Sequence, residues 1–469
     1  MTEPAATLPE GEEDTQDDVY DLALETVDAV VEALAEERLD DAHELVQALH
    51  YADAADLLER LSPAERALLV GVMQADFEPE LLAEVDETVR DEIIDQLGLE
   101  TIAQAVTELD SDDAVQVVEE LDEDEQREVL EAIPAGDRSL IEEGLAFPED
   151  SAGRLMQREL VTVPEFWTVG ETIDFMRQSA DEEDGVLPEL FYDIFVVDPK
   201  HHPVGHIPLS RLLRTRRPVA VSYLMDPKMK ILPATTDQED VAFVFSQRDL
   251  VSAPVVDDDG RLVGVITIDD VVDVIHEEHE EDIMLLGGVS EGDLYADVLE
   301  TTRSRFTWLL VNLGTAIMAS IVIGLFQGTI EQMVALAVLM PIVASMGGNA
   351  GTQTLTVAVR ALATKELTTT NALRVVGKEL MVGIINGVLF AVLTGLVAFA
   401  WFDSADIGIV IALAMTINMV VAGLAGASIP ILLERTGADP AIASSVFLTT
   451  ITDVIGFLAF LGLATWLLI

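Results

Sequence analysis

The chain has 469 residues, of which 86 are Asp or Glu and 25 are Lys or Arg, and its formal net charge at pH 7 is -61. Such a charge repels phosphates and excludes nucleic acid as a partner. The sequence contains no cysteine, which excludes disulfides, thiolate metal sites and cysteine nucleophiles.

The negative charge is concentrated in the first 300 residues, which hold 78 acidic and 18 basic residues, whereas residues 301–469 hold 8 and 7. The chain therefore joins a soluble polyanion to a nearly neutral, apolar block. This acidity is typical of proteins that work in a very salty cytosol, and it is also compatible with cation binding. A carboxylate must consequently be judged by its position, since abundance alone carries no information.

Residues 1–19 read as a disordered acidic tail without a signal peptide. Residues 20–146 read as a domain of short amphipathic helices, and this stretch repeats itself at an offset of 60. The segment DAADLLERL (53–61) matches DAVQVVEEL (113–121), and Glu65 matches Glu125. Repeated helical units that cannot bury a face alone predict an all-α superhelical domain.

Residues 147–277 contain a second repeat, at an offset of 69, which opens with Leu155-Met156 and with Leu224-Met225. Each copy has two β-branched runs, FYDIFVVD (191–198) with HHPVGHIPL (201–209), and SAPVVD (252–257) with DGRLVGVITIDD (259–270). The pattern predicts paired α/β modules and resembles a tandem CBS pair, a module that binds adenine nucleotides or serves structurally. The nucleotide signature of that family, Thr or Ser followed three residues later by Asp, falls on Thr267 and Asp270. The first copy has Ser210 followed by Leu213, so ATP is expected at the second copy if it binds.

Five stretches have the length and apolarity of membrane helices: residues 306–330, 332–359, 380–402, 407–433 and 440–469. Basic residues lie before the first stretch, between the second and third, and after the fourth, while the other two connections have none. The chain is therefore expected to be a multi-pass plasma-membrane protein, and the positive-inside rule places its long N-terminal part in the cytosol. With five spans, the C-terminus is expected to be extracellular.

Two features of the spans suggest an ion pathway. Asp453 lies inside the last span, where a carboxylate is costly unless it faces water, a cation or a protein partner. The second span contains Pro341 and glycines at MGGNAG (346–351), which predict a broken helix lining a cavity. One Asp with backbone carbonyls provides too few ligands for a dehydrated ion, but two copies in a symmetric dimer suit a hydrated divalent ion.

The chain resembles the MgtE family of Mg2+ channels and transporters over nearly its whole length from about residue 40. The most specific matches are MGGNAGTQ (346–353) with RALAT (360–364), GRLVGVITIDDVVDVI (260–275) with EEDI (280–283), and DPAIAS (439–444) with TDVIG (452–456). The resemblance implies a multidomain fold with an all-α superhelical N-domain, an α/β tandem CBS pair, a connecting helix over 278–305 and an all-α five-helix transmembrane domain over 306–469.

The resemblance also implies a homodimer in the lipid bilayer, with Asp453, Gly347, Gly348 and Asn349 at a pore on its two-fold axis. Cytosolic Mg2+ is expected to gate this pore by bridging acidic faces that otherwise repel. The family's sensor acids fall on Asp237, Glu239, Asp249, Asp270, Asp273, Glu278, Glu281, Asp282 and Asp439, and in the N-domain on Asp56 and Glu100. The chain departs from the family at Gln104, where a further acid is usual, and at Ser445-Val446, where Asn-Pro is frequent.

Two other functions fit the same features. An enzyme would need a catalytic cluster, but five of the seven histidines lie in the regulatory part, between residues 201 and 279, so an enzyme is not expected. A secondary transporter that exports or imports divalent ions with Na+ or H+ could use Asp453 as a proton carrier. The sequence leaves channel and coupled transporter open.

Overall fold

The structure is a computed structural model that describes residues 22–179, 187–188, 190–289, 298–436 and 439–469. The predicted acidic tail, residues 1–19, lies outside this described part. The chain divides into two compact units, Met1–Glu277 and Glu278–Ile469.

The described N-terminal region is entirely helical. Its ten helices are α1 (Leu24–Ala35), α2 (Leu39–Gln47), α3 (Tyr51–Arg60), α4 (Pro63–Met73), α5 (Glu80–Glu84), α6 (Glu87–Leu97), α7 (Leu99–Glu108), α8 (Ser111–Glu119), α9 (Glu123–Ala132) and α10 (Ala135–Leu145). Some of them start at side-chain caps: Ser62 and Glu65 form a capping box around Pro63, and the Asp86 side chain accepts from the Thr88 N–H. Each helix buries an apolar face against its neighbours, which favours a stack of short units.

The offset of 60 has a structural counterpart in polar side chains that reach back to the preceding helix. Arg66 Nε donates to the Leu58 carbonyl at 2.9 Å, and Gln126 Nε2 donates to the Val118 carbonyl at 3.0 Å. Each side chain thereby satisfies a carbonyl at the end of the helix before it. These residues match each other in the two copies, so the repeat seen in the sequence is a repeated packing unit.

The next region holds two three-stranded sheets of the same topology. The first contains β1 (Thr162–Pro164), β2 (Asp193–Val197) and β3 (Pro203–Pro208), and the second β4 (Leu232–Pro233), β5 (Ser252–Val256) and β6 (Leu262–Thr267). In each sheet the first strand is parallel to the second, which is antiparallel to the third. The accompanying helices are α11 (Ala152–Leu155), α12 (Val169–Ser179), α13 (Leu209–Leu213), α14 (Val221–Leu224), α15 (Gln238–Arg248) and α16 (Ile268–Gly287).

The two copies exchange their opening segments. Met156, which opens the first copy, packs in the core of the second sheet, while Leu224 packs in the core of the first. A Cβ at Gly264 would lie 2.5 Å from the Met156 sulfur, and one at Gly205 would lie 2.9 Å from the Met225 sulfur. Both glycines therefore leave room for a methionine from the other copy.

The second unit contains the membrane helices. These are α17 (Val298–Gly324), the short α18 (Gln327–Gln332), α19 (Ala335–Ala363), α20 (Ala372–Phe402), α21 (Ala405–Thr436) and α22 (Pro440–Leu468). Among the described residues, five helices are long and apolar enough to cross a membrane: α17, α19, α20, α21 and α22. Of these, α21 is the most buried, and it packs against α19, α20 and α22.

The borders of the membrane helices differ from the charge-free runs in the sequence. The first span ends at Gly324, short of the predicted residue 330, because α18 forms a separate helix. The third helix starts at Ala372, so Lys378 and Glu379 lie within it. The segment predicted as a connecting helix, 278–305, contains the end of α16 and the start of α17, and residues 290–297 between them lie outside the described part.

Candidate ion pathway and acidic clusters

The helix predicted to be broken is continuous. Helix α19 runs from Ala335 to Ala363 with Pro341 inside it, so the expected interruption at Gly347 to Asn349 is wrong. Pro341 lies inside α19, where its missing N–H removes one intrahelical hydrogen bond, yet the helix continues through it. The glycines remain helical, and their lack of a side chain serves packing between helices.

The three pore candidates on α19 occupy different surroundings. Gly347 is buried, and a Cβ there would overlap the side-chain amide of Asn418 on α21. At Gly348 a Cβ would meet nothing within 4 Å, and Asn349 is exposed. Gly347 is thus a packing position, whereas Gly348 and Asn349 face open space.

The exposed face of α19 is polar at helical spacing. It carries Ser345, Asn349, Thr352, Gln353 and Thr356, while Val343, Gly347 and Gly351 lie on the buried face. A polar stripe of this kind on a membrane helix is a surface that water or a partner helix can satisfy.

Asp453 lies on α22 and is half-buried, next to the fully buried Thr452. One turn further on, Gly456 packs against Asn418, since a Cβ there would lie 2.8 Å from the amide nitrogen. Asn418 therefore contacts both the helix of Gly348 and the helix of Asp453. Asn418 was not among the residues predicted from the sequence, although it is the one amide in the charge-free stretch 407–433.

A second acid lies inside a membrane helix. Glu379 of α20 is buried and accepts a hydrogen bond from Thr354 Oγ1 of α19 at 3.2 Å. Lys378 Nζ lies 3.5 Å from its other carboxylate oxygen. Glu379 lies just outside the span predicted from the sequence, residues 380–402, because only the stretch after it lacks charge.

In the first unit, three carboxylates of two different regions lie together. Asp112 and Asp113 open α8, and Asp270 lies in the first turn of α16. Burial, with the added repulsion of Asp270, raises the pKa of Asp113 to about 7 and that of Asp112 well above its usual range. Burial also raises the pKa of Asp270 to about 6, although Thr267 Oγ1 donates to it at 2.7 Å.

The contact that carries these acids is tied by neutral and charged hydrogen bonds. Ser111 Oγ donates to Glu159 Oε2 at 2.8 Å and accepts from the Arg158 N–H at 2.7 Å. Arg154 Nη1 lies 2.6 Å from Glu119 at the end of α8. The like charges of Asp113 and Asp270 are therefore held close by bonds at the edge of the contact.

A second acidic group involves Asp56 and Asp273, both of which were sensor candidates. Partial loss of hydration raises the pKa of Glu84 at the end of α5, and the charges of Asp273 and Asp56 raise it further, whereas His50 lowers it. Loss of hydration is also the main cause of a raised pKa at Asp273. Asp112, Asp113 and Glu84 were missed because nothing in so acidic a sequence marks them.

A third acidic pair lies in the second unit. Asp439 caps α22, with its Oδ1 accepting from the Ala441 N–H at 2.6 Å. Partial burial and then the charge of Asp439 raise the pKa of Asp282 on α16, and His279 lowers it. The structure thus brings together two candidates that are 157 positions apart in the numbering.

The remaining sensor candidates are more dispersed. Asp237 caps α15 by accepting from the Glu239 N–H at 3.0 Å, and its charge contributes to the raised pKa of Asp150, which burial mainly causes. Asp249 ends the same helix with a left-handed φ of 52°. Glu100 is exposed on α7, and Glu278 and Glu281 lie on α16. Within the described ranges, no three His, Asp or Glu side chains converge closely enough to hold a metal ion by themselves.

The two CBS-like copies enclose a cavity of about 720 Å³. Its wall includes Tyr192, Ser210, Lys228, Lys230 and Arg248, so cationic and aromatic groups face the same space. Thr267, the predicted nucleotide residue, instead lines a second cavity of about 10 Å³, and its hydroxyl is engaged by Asp270. A space of that size holds about one water molecule.

The sequence matches three family profiles. Residues 340–463 match MgtE, described as a divalent cation transporter, residues 49–150 match the MgtE intracellular N domain, and residues 221–277 match a CBS domain. These matches, together with the five apolar helices, confirm the fold class predicted from the sequence.

Curated relatives match about two thirds of the chain or more. The chain is 36% identical over 335 residues to the magnesium transporter MgtE of Thermus thermophilus, which covers 71% of this chain and 73% of that protein. It is 31% identical over 325 residues to the magnesium transporter MgtE of Enterococcus faecalis, covering 69% and 71%. A crystal structure described as the cytosolic domain of the Mg2+ channel MgtE in complex with ATP is 30% identical, with a TM-score of 0.47, and covers 53% of this chain and 99% of that one.

Proposed function

The chain belongs to the MgtE family of magnesium transporters, and from that premise we propose that two copies form a pore for hydrated Mg2+, gated by Mg2+ on the cytosolic side. The observation that carries the gating is the cluster of Asp112, Asp113 and Asp270. Their raised pKa values mean that the ionised carboxylates destabilise the contact between α8 and α16. A divalent cation bound between them would remove this repulsion and favour the docked arrangement.

Like charges also face each other in the two other acidic groups. Asp56, Glu84 and Asp273 hold like charges against each other, as do Asp282 and Asp439. A bound ion at either place would change the balance between two arrangements by its preference for one of them. We therefore assign Asp282 and Asp439 to the link between the sensor and the start of α22.

For the pathway itself, the proposal rests on Asp453 and the polar face of α19. Mg2+ gives up its water reluctantly and is usually held by one or two carboxylates with several waters retained. One Asp453 from each of two subunits meets that requirement, and on α19 Gly348 leaves open space and Asn349 offers an exposed polar group. Gly347 contributes indirectly, through its packing against Asn418.

The membrane orientation follows from charge. Arg303 and Arg305 precede the first span, and Arg360, Lys365, Arg374 and Lys378 flank the connection between α19 and α20. We propose that the protein lies in the plasma membrane with these helix ends and the N-terminal unit on the cytosolic side, and with Ile469 outside.

The large cavity between the CBS-like copies supports a second role, the binding of ATP. Lys228, Lys230 and Arg248 could bind phosphate oxygens, and Tyr192 offers a face for the base. We place the nucleotide here, beside Ser210, because the cavity at Thr267 has no room for it. ATP would then bias the arrangement of the two copies, as a ligand with different affinities for two states does.

The test is a recording of full-length protein in planar bilayers, with Mg2+ varied on the side of the N-terminal unit. We expect unitary Mg2+ currents that decrease as this Mg2+ rises into the millimolar range, roughly the affinity of weak carboxylate sites. Asp453→Ala should abolish the current, whereas the matched change Asp406→Ala, in an exposed acid at the start of α21, should preserve it. Mg2+ flux without unitary currents, and dependent on a Na+ or H+ gradient, would favour the coupled transporter instead.

A further inference from the structure

Asn418 occupies an unusual position in the membrane unit. It lies near the middle of α21, its side chain is fully buried, and the charge-free run around it spans residues 407–433. A polar side chain in such surroundings is costly unless its groups are bonded. A leucine would fill such a site without this cost, so the presence of an asparagine needs an explanation.

The amide of Asn418 is held between two helices. Its Nδ2 donates to the Val343 carbonyl of α19 at 2.8 Å, one turn before Gly347. Gly347 on α19 and Gly456 on α22 both pack directly on this amide, and a methyl group at either position would collide with it. Asn418 thus fills a space that two glycines leave open, and it joins three helices at one point.

The amide nitrogen of Asn418 is hydrogen-bonded, but its oxygen is not, within the part of the chain that the structure describes. Oδ1 is buried and has no hydrogen-bond partner among the described residues. The orientation of the amide is fixed, because turning it over would set Oδ1 against the Val343 carbonyl oxygen. A buried acceptor without a partner destabilises the folded state, so the residue is not an optimal packing choice.

The position of Asn418 connects the two halves of the proposed pathway. Gly347 adjoins Gly348 and Asn349, which face open space, and Gly456 lies one turn after Asp453. A change in the size or bonding of residue 418 would therefore move the polar face of α19 relative to the carboxylate of Asp453. Packed helices transmit such changes because their interfaces are dense.

We propose that Asn418 is a positioning residue for ion selection, a polar wedge that sets the spacing between the polar face of α19 and Asp453. This inference rests on the proposed pore at Asp453. Asn418 does not touch the ion; it selects through the two helices whose separation it fixes. A spacing suited to one hydrated divalent ion discriminates against another of different size and hydration.

The test compares Mg2+ and Ca2+ flux into proteoliposomes containing full-length protein. Asn418→Leu keeps a similar shape, adds volume and removes the bond to Val343, so the Mg2+ to Ca2+ flux ratio should fall by about three- to tenfold, the range of one interhelical hydrogen bond. The control is Asn386→Leu, at a half-buried asparagine on α20, which should leave the ratio unchanged. If Asp453→Ala abolishes flux while Asn418→Leu leaves the ratio intact, this inference is overturned and the proposed pore survives. If Asp453→Ala preserves flux, the proposed pore itself is wrong.

A second measurement does not depend on transport. Gly347→Ala should lower the melting temperature of the purified protein because the new methyl collides with Asn418, and adding Asn418→Ala should restore most of the loss. Gly348→Ala serves as the control, since a methyl there meets nothing within 4 Å and Asn418→Ala should not alter its effect. Equal melting temperatures for Gly347→Ala with and without Asn418→Ala would contradict the wedge.

Discussion

Asp113 of α8 and Asp270 of α16 hold like charges against each other in a largely buried contact, and each has a raised pKa. At neutral pH this pair opposes the contact that the bonds of Ser111 and Arg154 maintain. The contact is therefore balanced between attraction and repulsion, which is the condition for control by a cation.

Removing the charge of this pair should replace the cation. We expect the double variant Asp113→Asn with Asp270→Asn to resist proteolysis in chelator as well as the wild type does in millimolar Mg2+, because the repulsion is gone. Limited proteolysis of the full-length protein with and without Mg2+ measures this. Glu128→Gln, at an exposed acid on α9 that is not a sensor candidate, should leave the Mg2+ dependence intact. A double variant that still needs Mg2+ for protection would rule out these acids as the sensor.

At the start of α22, two substitutions of Asp439 separate its roles. Asp439→Asn keeps an acceptor for the Ala441 N–H but removes the charge next to Asp282, whereas Asp439→Ala removes both. Both should shift the Mg2+ concentration that closes the pore, but only Asp439→Ala should also lower stability, by about 1 kcal/mol for a lost cap. Flux assays at graded Mg2+ and thermal denaturation measure the two effects. Unchanged gating in both variants would exclude the pair of Asp282 and Asp439 from the sensor.

The buried Arg90 should stabilise the helical stack. Arg90 donates to the carbonyls of Ala83 and Val85 and pairs with Glu120. We expect Arg90→Ala to cost about 3–5 kcal/mol, the usual effect of breaking a buried ion pair. Denaturant unfolding of the full-length protein, followed through the transition of its N-terminal helices, measures the loss in free energy of unfolding. Arg127→Ala, at an exposed pair with Asp124, should cost less than about 1 kcal/mol. Similar losses in the two variants would contradict the assigned role of Arg90.

The nucleotide proposal makes a choice between the two CBS-like copies. Arg248→Ala should weaken ATP binding by about tenfold or more, the effect of losing a charge-assisted hydrogen bond, while Thr267→Ala should leave it nearly unchanged. Equilibrium binding of a fluorescent ATP analogue measures both. The opposite pattern would return the site to Thr267 and Asp270.

Much of the fold could be predicted because it depends on local sequence. Four of the five predicted spans lack charge over helical lengths and the fifth carries only Asp453, and the four longer strands of the paired modules lie within the β-branched runs that mark them. The start of α20 was missed because Glu379 is buried against Thr354, a tertiary contact that charge counting cannot see. The break expected in α19 did not occur, since its glycines make room for Asn418 instead of interrupting the helix.

The candidate site was less accessible to sequence reasoning. Asp282 and Asp439 come together, as do Asp56 and Asp273 around Glu84, yet Asp112 and Asp113 went unnoticed. Which acids face each other depends on how α8 docks on α16, and no local pattern encodes that. Family resemblance supplied positions, and only the three-dimensional arrangement gave the partners.

The exchange of opening segments between the two CBS-like copies has a consequence for biosynthesis. Met156 completes a core that includes Ile266, and so it leaves the ribosome about a hundred residues before its packing partners exist, a long-range contact of the kind that slows folding. The core of the second sheet is therefore complete only after both copies have been synthesised. A nascent chain that stops within the second copy would leave the Met156 side chain exposed and available for binding by chaperones.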